Sequence, residues 1–394
     1  MLERKSLALH IGIDISRIAV AARTGTEHYT YELLAAFAQR DRSNRYSLYC
    51  NQLPAALPPL GPNSTLRHIP FPRLWTHLRL SAELLLHPPD VLFVPAHVLP
   101  IALPLRPRLR SVVTIHDLGY LHFPEAHTKQ QRLYLRLSTL WSARVASHVI
   151  AISQATRDDL LRHTGIDASK ISVIYHGLAP HFRPVDDSQA RSQVQQRYGI
   201  VAPGQPARPY LLYVGTVQPR KNLVRLIEAF SQAHRANPDL LLVIAGKRGW
   251  LTEAIERRAN ELGIAEHVRF TGYVEDADLP ILLSGALAFA LPSLYEGFGM
   301  PVLEAMACGT PVLASNTSAL PEVAGDAALL VNPTDTTEIA AAIERLANDT
   351  ALRAELRARG LARVAQFTWE RCADQTLDVL RSTFARGSAA ARPV

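Results

Sequence analysis

Short apolar runs alternate with helix-length amphipathic segments along almost the whole chain, and that alternation restricts it to parallel α/β folds. Strand-like runs fall at Leu7–Ile15, Tyr46–Cys50, Leu66–Ile69, Val91–Val94, Val112–Ile115, Val149–Ile152 and Ile171–Tyr175. A second series occupies Leu211–Val214, Leu240–Ala245, Val268–Phe270, Leu287–Leu291, Val312–Ala314 and Ala328–Val331. After the first run, a loop containing Thr24-Gly25-Thr26 leads to a helix expected from Glu27 to Arg40. Tyr29, Leu33, Leu34 and Phe37 recur there at helical spacing.

Between the two series the composition changes. Pro180, Pro184, Pro203, Pro206 and Pro209 surround a polar stretch with room for one short helix, which reads as a connection between domains. At 394 residues the chain exceeds one ordinary core. We therefore expect two Rossmann-like doubly wound domains, residues 1–180 and 210–366, joined by 181–209. Residues 367–394 form a terminal helix after Phe367-Thr368-Trp369, with the last nine residues read as a frayed tail.

No apolar run approaches the eighteen residues of a membrane span. The N-terminal Met1-Leu-Glu-Arg-Lys-Ser shows no signal-peptide pattern, so a cytoplasmic location is expected. Cys50, Cys308 and Cys372 are far apart, without disulfide or zinc spacing. A net charge of +7 permits an anionic partner. The arginines are scattered and no aromatic-basic nucleic-acid motif accompanies them, so nucleic acid is not expected.

Chemistry concentrates in Leu291–Pro311. A buried strand runs into Tyr295-Glu296-Gly297-Phe298-Gly299, and Pro301 then opens a helix. Unpaired N–H groups and the helix dipole favour a phosphate there. Glu296 and Glu304, seven residues apart in the intervening sequence, bracket that cradle and can face one ligand. A second loop, Gly215-Thr216-Val217-Gln218-Pro219-Arg220-Lys221-Asn222, sets two cations at the carboxyl edge of a sheet, where they can hold a diphosphate without a metal. Neither a dinucleotide fingerprint nor a P-loop is present.

Other candidates have competing structural readings. Asp276 and Asp278 could form a metal pair, but they precede a helix and read better as caps. His116 ends a strand, where it either meets a sugar or is satisfied by local backbone. His176-Gly177 reads as a structural turn and Ser153 as a helix cap. Leu74–Leu86, flanked by Arg73 and carrying Arg79, is either a core helix or a segment for peripheral membrane contact.

The motifs L-Y-V-G-T-x-x-P-R-K-N, V-I-A-G-K-R-G-W, V-R-F-T-G-Y-V, P-S-L-Y-E-G-F-G-M-P-V-L-E-A-M-A-C-G-T-P-V and L-P-E-V-A-G-D-A-A resemble family 4 of the retaining glycosyltransferases. The similarity is to the polysaccharide and O-antigen mannosyltransferase subgroup. It implies a GT-B architecture, with two Rossmann-like domains facing a central cleft. The donor nucleotide would lie mostly on the second domain and the acceptor on the first, to which the final helix would return.

By the same resemblance, Glu296, with the backbone of Gly297, Phe298, Gly299 and Met300, holds the transferred sugar. Glu304 takes the ribose hydroxyls. Val302 and Leu303 offer N–H groups to a diphosphate neutralised by Arg220 and Lys221 beside Gly215. Gly272, Tyr273 and Val274 lie near the base, and His116 near the sugar. Relatives often carry G-x-G-R-Y in the first loop, whereas this chain has Gly25-Thr26-Glu27-His28-Tyr29. The Glu27 carboxylate disfavours a donor phosphate there, which assigns Gly25 and Thr26 to the acceptor side.

The expected activity is retaining, metal-independent hexosyl transfer, with GDP-mannose as leading donor and a glycan or lipid-linked saccharide as acceptor, without a cofactor. Lipid-linked acceptors would bring the protein to the inner face of the membrane. A nucleotide-sugar epimerase-hydrolase of the same architecture and a non-enzymatic nucleotide-sugar-binding subunit are the alternatives.

Overall fold

The computed structural model describes residues 8–19, 25–124, 128–202, 205–249 and 253–390. Leu7 and the six residues before it, Thr24, Pro203, Trp250 and residues 391–394 carry sequence expectations that lie outside this set. The chain divides into two compact units. One comprises 1–177 together with 368–394, and the other 178–367.

The first unit contains β1 (His10–Asp14), α1 (Gly25–Arg40), β2 (Arg45–Cys50), β3 (Ser64–His68), α2 (Ser81–Leu86) and β4 (Val91–Val94). It continues with β5 (Arg110–Ile115), α3 (Gly119–His122), α4 (Lys129–Val145), β6 (His148–Ala151), α5 (Gln154–Thr164) and β7 (Ile171–Val173). Its seven-stranded sheet is parallel, ordered β3-β2-β1-β4-β5-β6-β7. Alternate residues feed different cores: Val91 and Phe93 join Ile11 and Ile13, whereas Leu92 and Val94 pack with Val113 and Ile115. A strand buried on both faces explains why these runs are continuously apolar.

The second unit contains α6 (Ser188–Arg197), β8 (Tyr210–Val214), α7 (Leu223–His234), β9 (Leu241–Ala245), α8 (Glu253–Glu261), β10 (Val268–Gly272) and α9 (Leu279–Gly285). Then follow β11 (Ala288–Leu291), α10 (Met300–Ala307), β12 (Val312–Ser315), α11 (Leu320–Ala324), β13 (Ala328–Val331), α12 (Thr336–Asn348) and α13 (Thr350–Val364). This sheet is also parallel, ordered β10-β9-β8-β11-β12-β13. In both units the order reverses beside the first strand. Such a switch point opens a crevice at the carboxyl ends of the two strands flanking it.

The final helix, α14 (Trp369–Ala390), belongs to the first unit. Trp369, Cys372, Ala373, Leu377 and Leu380 enter the same core as Ile11, Tyr29 and Phe37. Residues 386–390, read from sequence as part of a frayed tail, instead prolong this helix.

Several local expectations change. Gly25 and Thr26 are not loop residues but the start of α1, and Thr30 Oγ1 donates to the Thr26 carbonyl at 3.0 Å. Asp278 occupies the N-cap position of α9, but its side chain makes no capping hydrogen bond. Its carboxylate instead accepts from Arg197 Nη1 at 2.6 Å and the Tyr198 hydroxyl at 2.8 Å, which ties α6 to α9. Leu74–Leu86 is a π-helical turn, Thr76–Leu80, running into α2. Leu80 and Leu84 are buried, whereas Leu74, Leu78 and Leu86 are exposed, so the segment combines a core face with an apolar outer one. Ser153 caps α5, accepting the Thr156 N–H at 3.0 Å.

Candidate functional site: a carboxylate shared by two cations

The second unit's switch point lies between β8 and β11, and their following loops carry the principal candidates. After β8 the chain makes a short 3-10 turn, Pro219–Lys221, and Asn222 adopts a left-handed φ of 62° before α7. Asn222 Nδ2 donates to the carbonyls of Pro292, 3.0 Å, and Pro333, 2.7 Å. One buried amide thus ties the loops after β8, β11 and β13 together.

The tie sets Arg220 and Lys221 against Glu296. Lys221 Nζ donates to Glu296 Oε1 at 2.5 Å, and Arg220 Nη1 to Glu296 Oε2 at 3.0 Å. Arg220 also donates to the Tyr295 carbonyl at 2.9 Å, and its own carbonyl accepts the Leu294 N–H at 2.9 Å. Lys221 is 8% exposed and Arg220 26%. Burial alone would raise the Glu296 pKa, but Lys221 and Arg220 overcome it and hold the carboxyl at about 2. The cluster is therefore ionised and retains one net positive charge.

Ser318, two residues before α11, supports this arrangement. With φ at 54°, its Oγ accepts the Glu296 N–H at 3.0 Å and donates to the Thr317 carbonyl at 2.7 Å. Nothing in the sequence marks Ser318, because the signal is a backbone angle.

Gly297, Phe298 and Gly299 are buried between Glu296 and α10, with Phe298 edge-on to Phe367 at 6.0 Å. Gly299 is the N-cap and Met300 the first helical residue, so Pro301 takes the second position, where its missing N–H costs no helical bond. The Val302 N–H, expected to face a phosphate, donates to the Gly299 carbonyl at 3.0 Å. A ligand there would have to share or replace that bond. Glu304, half-buried on α10, is pushed up to about 7 by burial and then by Asp276.

The neighbouring strand ends pack tightly. Gly215 and Gly246 have φ of 148° and 145°, and a Cβ on Gly246 would lie 2.0 Å from the Gly215 carbonyl oxygen. Gly246 also donates its N–H to the Gly272 carbonyl at 2.8 Å. A cavity of about 190 Å³ opens beside them, lined by Val217, Gly246, Arg248, Phe270 and Gly272. Val274 is buried, whereas Tyr273 is 48% exposed, with Lys247 Nζ 4.7 Å from its ring centroid. Lys247 and Arg248 lie inside the V-I-A-G-K-R-G-W motif, but sequence reasoning did not select them.

Gly25, Thr26 and His116 belong to the first unit. His116 is buried, donates from Nε2 to the Pro95 carbonyl at 2.9 Å, and packs edge-on to Tyr29 at 4.9 Å. Its backbone N–H reaches His97 Nε2 at 3.1 Å. Burial lowers the pKa of both rings, that of His97 to about 4 with the His116 charge adding to it. His116 is therefore a neutral imidazole near pH 7. His176 stacks on both Tyr29, at 4.7 Å, and Trp369, at 6.0 Å, in a triangle of rings, and a Cβ on Gly177 would meet the Trp369 backbone nitrogen at 2.2 Å.

Taken together, the arrangement offers an ionised acceptor for hydroxyls, a cationic pair and a helix start for an anion, and a lined recess beside an exposed aromatic ring. Residues 23–182 match the model described as Glycosyltransferase Family 4, and 202–363 that described as Glycosyl transferases group 1. The fold matches sucrose-phosphate synthase from Thermosynechococcus elongatus with a TM-score of 0.75 and 24% identity, covering 96% of this chain and 100% of that one. The architecture is that of the GT-B glycosyltransferases. In sequence, the chain is 36% identical to O-antigen chain mannosyltransferase B of Escherichia coli over 280 residues, 69% of this chain and 70% of that protein. It is 33% identical to the serotype-specific mannosyltransferase WbdA of Escherichia coli over 240 residues, 59% of this chain but 28% of the relative's length. The chain belongs to the family 4 glycosyltransferases.

Proposed function

We propose that the protein transfers a mannosyl group from GDP-mannose to a glycan or lipid-linked saccharide, with retained anomeric configuration and without a metal ion. The observation that carries the donor-site reading is Glu296 shared by Lys221 and Arg220 beside the start of α10. The names of the Escherichia coli relatives support mannose as the sugar.

In this reading Glu296 accepts hydrogen bonds from the sugar, with Gly297, Phe298, Gly299 and Met300 lining its path. Arg220 and Lys221 face the diphosphate beside Gly215, aided by the N–H groups of Val302 and Leu303. Glu304 takes the ribose, and Gly272, Tyr273 and Val274 the base. Gly25, Thr26 and His116 serve the acceptor and the sugar.

The anomeric carbon–oxygen bond breaks with its electron pair passing to the β-phosphate oxygen. The acceptor hydroxyl attacks on the same face and gives its proton to that departing oxygen. Charge grows on the phosphate as the bond lengthens, so fixed cations stabilise the transition state more than the bound donor. Lys221→Ala should lower kcat by roughly 10²–10³-fold, the usual effect of removing one such donor. A change below threefold would exclude Lys221 from the chemistry.

The decisive experiment offers a panel of nucleotide sugars with a mannan-type acceptor and identifies the product by mass and anomeric NMR. Transfer from GDP-mannose with retention is expected; transfer from another donor alone, inversion, or free sugar as sole product would overturn the assignment. Excess chelator should leave the rate unchanged. Glu304→Ala should weaken GDP binding roughly tenfold or more by calorimetry, consistent with losing a charge-assisted contact. For a lipid-linked acceptor, the exposed Leu74 and Leu78 beside Arg73 and Arg79 supply a peripheral contact with anionic membrane. Binding of the protein to anionic vesicles should fall when Leu74 and Leu78 become serine.

A further inference from the structure

Asp159 and His163 stand one turn apart on α5, so their side chains share a face. His122, the last residue of α3, approaches that face, with its Nε2 2.8 Å from Asp159 Oδ2. Ligand atoms of the three residues all lie within 4.8 Å of one another. The His122 and His163 ring centroids are 6.3 Å apart, and the rings are nearly perpendicular at 85°. We propose that His122, Asp159 and His163 bind one divalent transition-metal ion of the Zn²⁺ class, with water completing its coordination.

Two imidazole nitrogens and one carboxylate oxygen suit zinc, cobalt or nickel and disfavour magnesium and calcium, which require oxygen-rich shells. Bonds of about 2.0–2.2 Å in a tetrahedral site place neighbouring ligand atoms about 3.3 Å apart. Rotation of His122 and His163, both exposed, about the buried Asp159 would open the 2.8 Å His122–Asp159 distance and bring separations that now reach no more than 4.8 Å to that value. His122 then keeps its proton on Nδ1 and presents the Nε2 lone pair. Arg162 Nη1 lies 3.3 Å from Asp159 Oδ1, and its 67% exposed side chain can turn outward as the cation enters.

The site has a structural consequence. It fastens the end of α3, six residues beyond His116, to a helix whose Thr156 Oγ1 donates to the His116 carbonyl at 3.3 Å. A metal there braces the exit of β5 and takes no part in bond breaking. It therefore stabilises the fold by binding the folded state, independently of the donor site.

The test titrates Zn²⁺ into the metal-stripped full chain by calorimetry, with Co²⁺ absorption reporting the donor set and thermal unfolding reporting stability. One equivalent bound, nitrogen-ligand cobalt bands and a raised Tm are expected. His163→Ala and Asp159→Asn should each weaken binding at least tenfold and remove the Tm rise, while His181→Ala, an exposed histidine in the second unit, should change neither. Absence of stoichiometric binding by the unaltered chain would overturn the proposal. So would His163→Ala binding as tightly as the unaltered chain, or His181→Ala losing the metal.

Discussion

Glu296 and Glu304, eight positions apart, are driven to opposite sides of the ordinary glutamate value of 4.5. Held at about 2 by Lys221 and Arg220 against the effect of burial, Glu296 adds stability that is present above pH 4.5 and lost as pH falls toward 2. Glu304 behaves in the reverse sense. Burial and Asp276 raise it to about 7, so its contribution is complete below pH 4.5 and disappears as pH rises to 7. Glu304→Gln should accordingly match the unaltered protein in urea unfolding at pH 4 and exceed it at pH 8 by about 1–3 kcal/mol. If Glu304 binds ribose as a carboxylate, GDP affinity should rise across pH 6 to 8, and Glu304→Gln should abolish that rise. Both carboxylates were legible in the sequence as a bracket around one helix start. Their different charge states were not, because Lys221 reaches Glu296 across 75 positions and only the fold reveals that contact.

At the level of elements, the strand-ending turns are the least forgiving part of the second unit. Gly246→Ala would place a methyl against the Gly215 carbonyl in a backbone region unsuited to side chains. We expect a loss of at least about 2 kcal/mol in stability and weaker GDP binding, read by denaturant titration and calorimetry. An unchanged midpoint would show that the two turns can separate freely. Strands were legible to within a few residues because a run buried on both faces leaves a continuous apolar signature. Helix starts were less so: Gly25 looked like loop, yet helical φ/ψ is open to glycine, and Asp278 holds the N-cap position that its sequence suggests while its carboxylate serves Arg197 and Tyr198 instead of the helix N–H groups. Asn222 sits in a recognisable motif, but its side-chain links to Pro292 and Pro333 depend on three separate loops meeting.

For the molecule as a whole, alternating strands and helices foretold two doubly wound sheets, and both have the order expected of right-handed crossovers. The spatial role of α14 rested on resemblance, since an amphipathic terminal helix does not announce which core it completes. Ending the chain after Phe367 should abolish cooperative unfolding of the first unit while preserving that of the second, as scanning calorimetry can show. Two intact transitions would mean that α14 is dispensable. The topology also imposes an order on biosynthesis. Residues 1–177 leave the ribosome first, yet their hydrophobic interior waits for Trp369, Leu377 and Leu380. The interposed unit, whose entrance and exit are joined by the Leu178 N–H and the Phe367 carbonyl at 3.0 Å, can close earlier. The sheet of the first unit is thus translated before the inserted unit and sealed after it, and during that interval its apolar face lacks the helix that covers it.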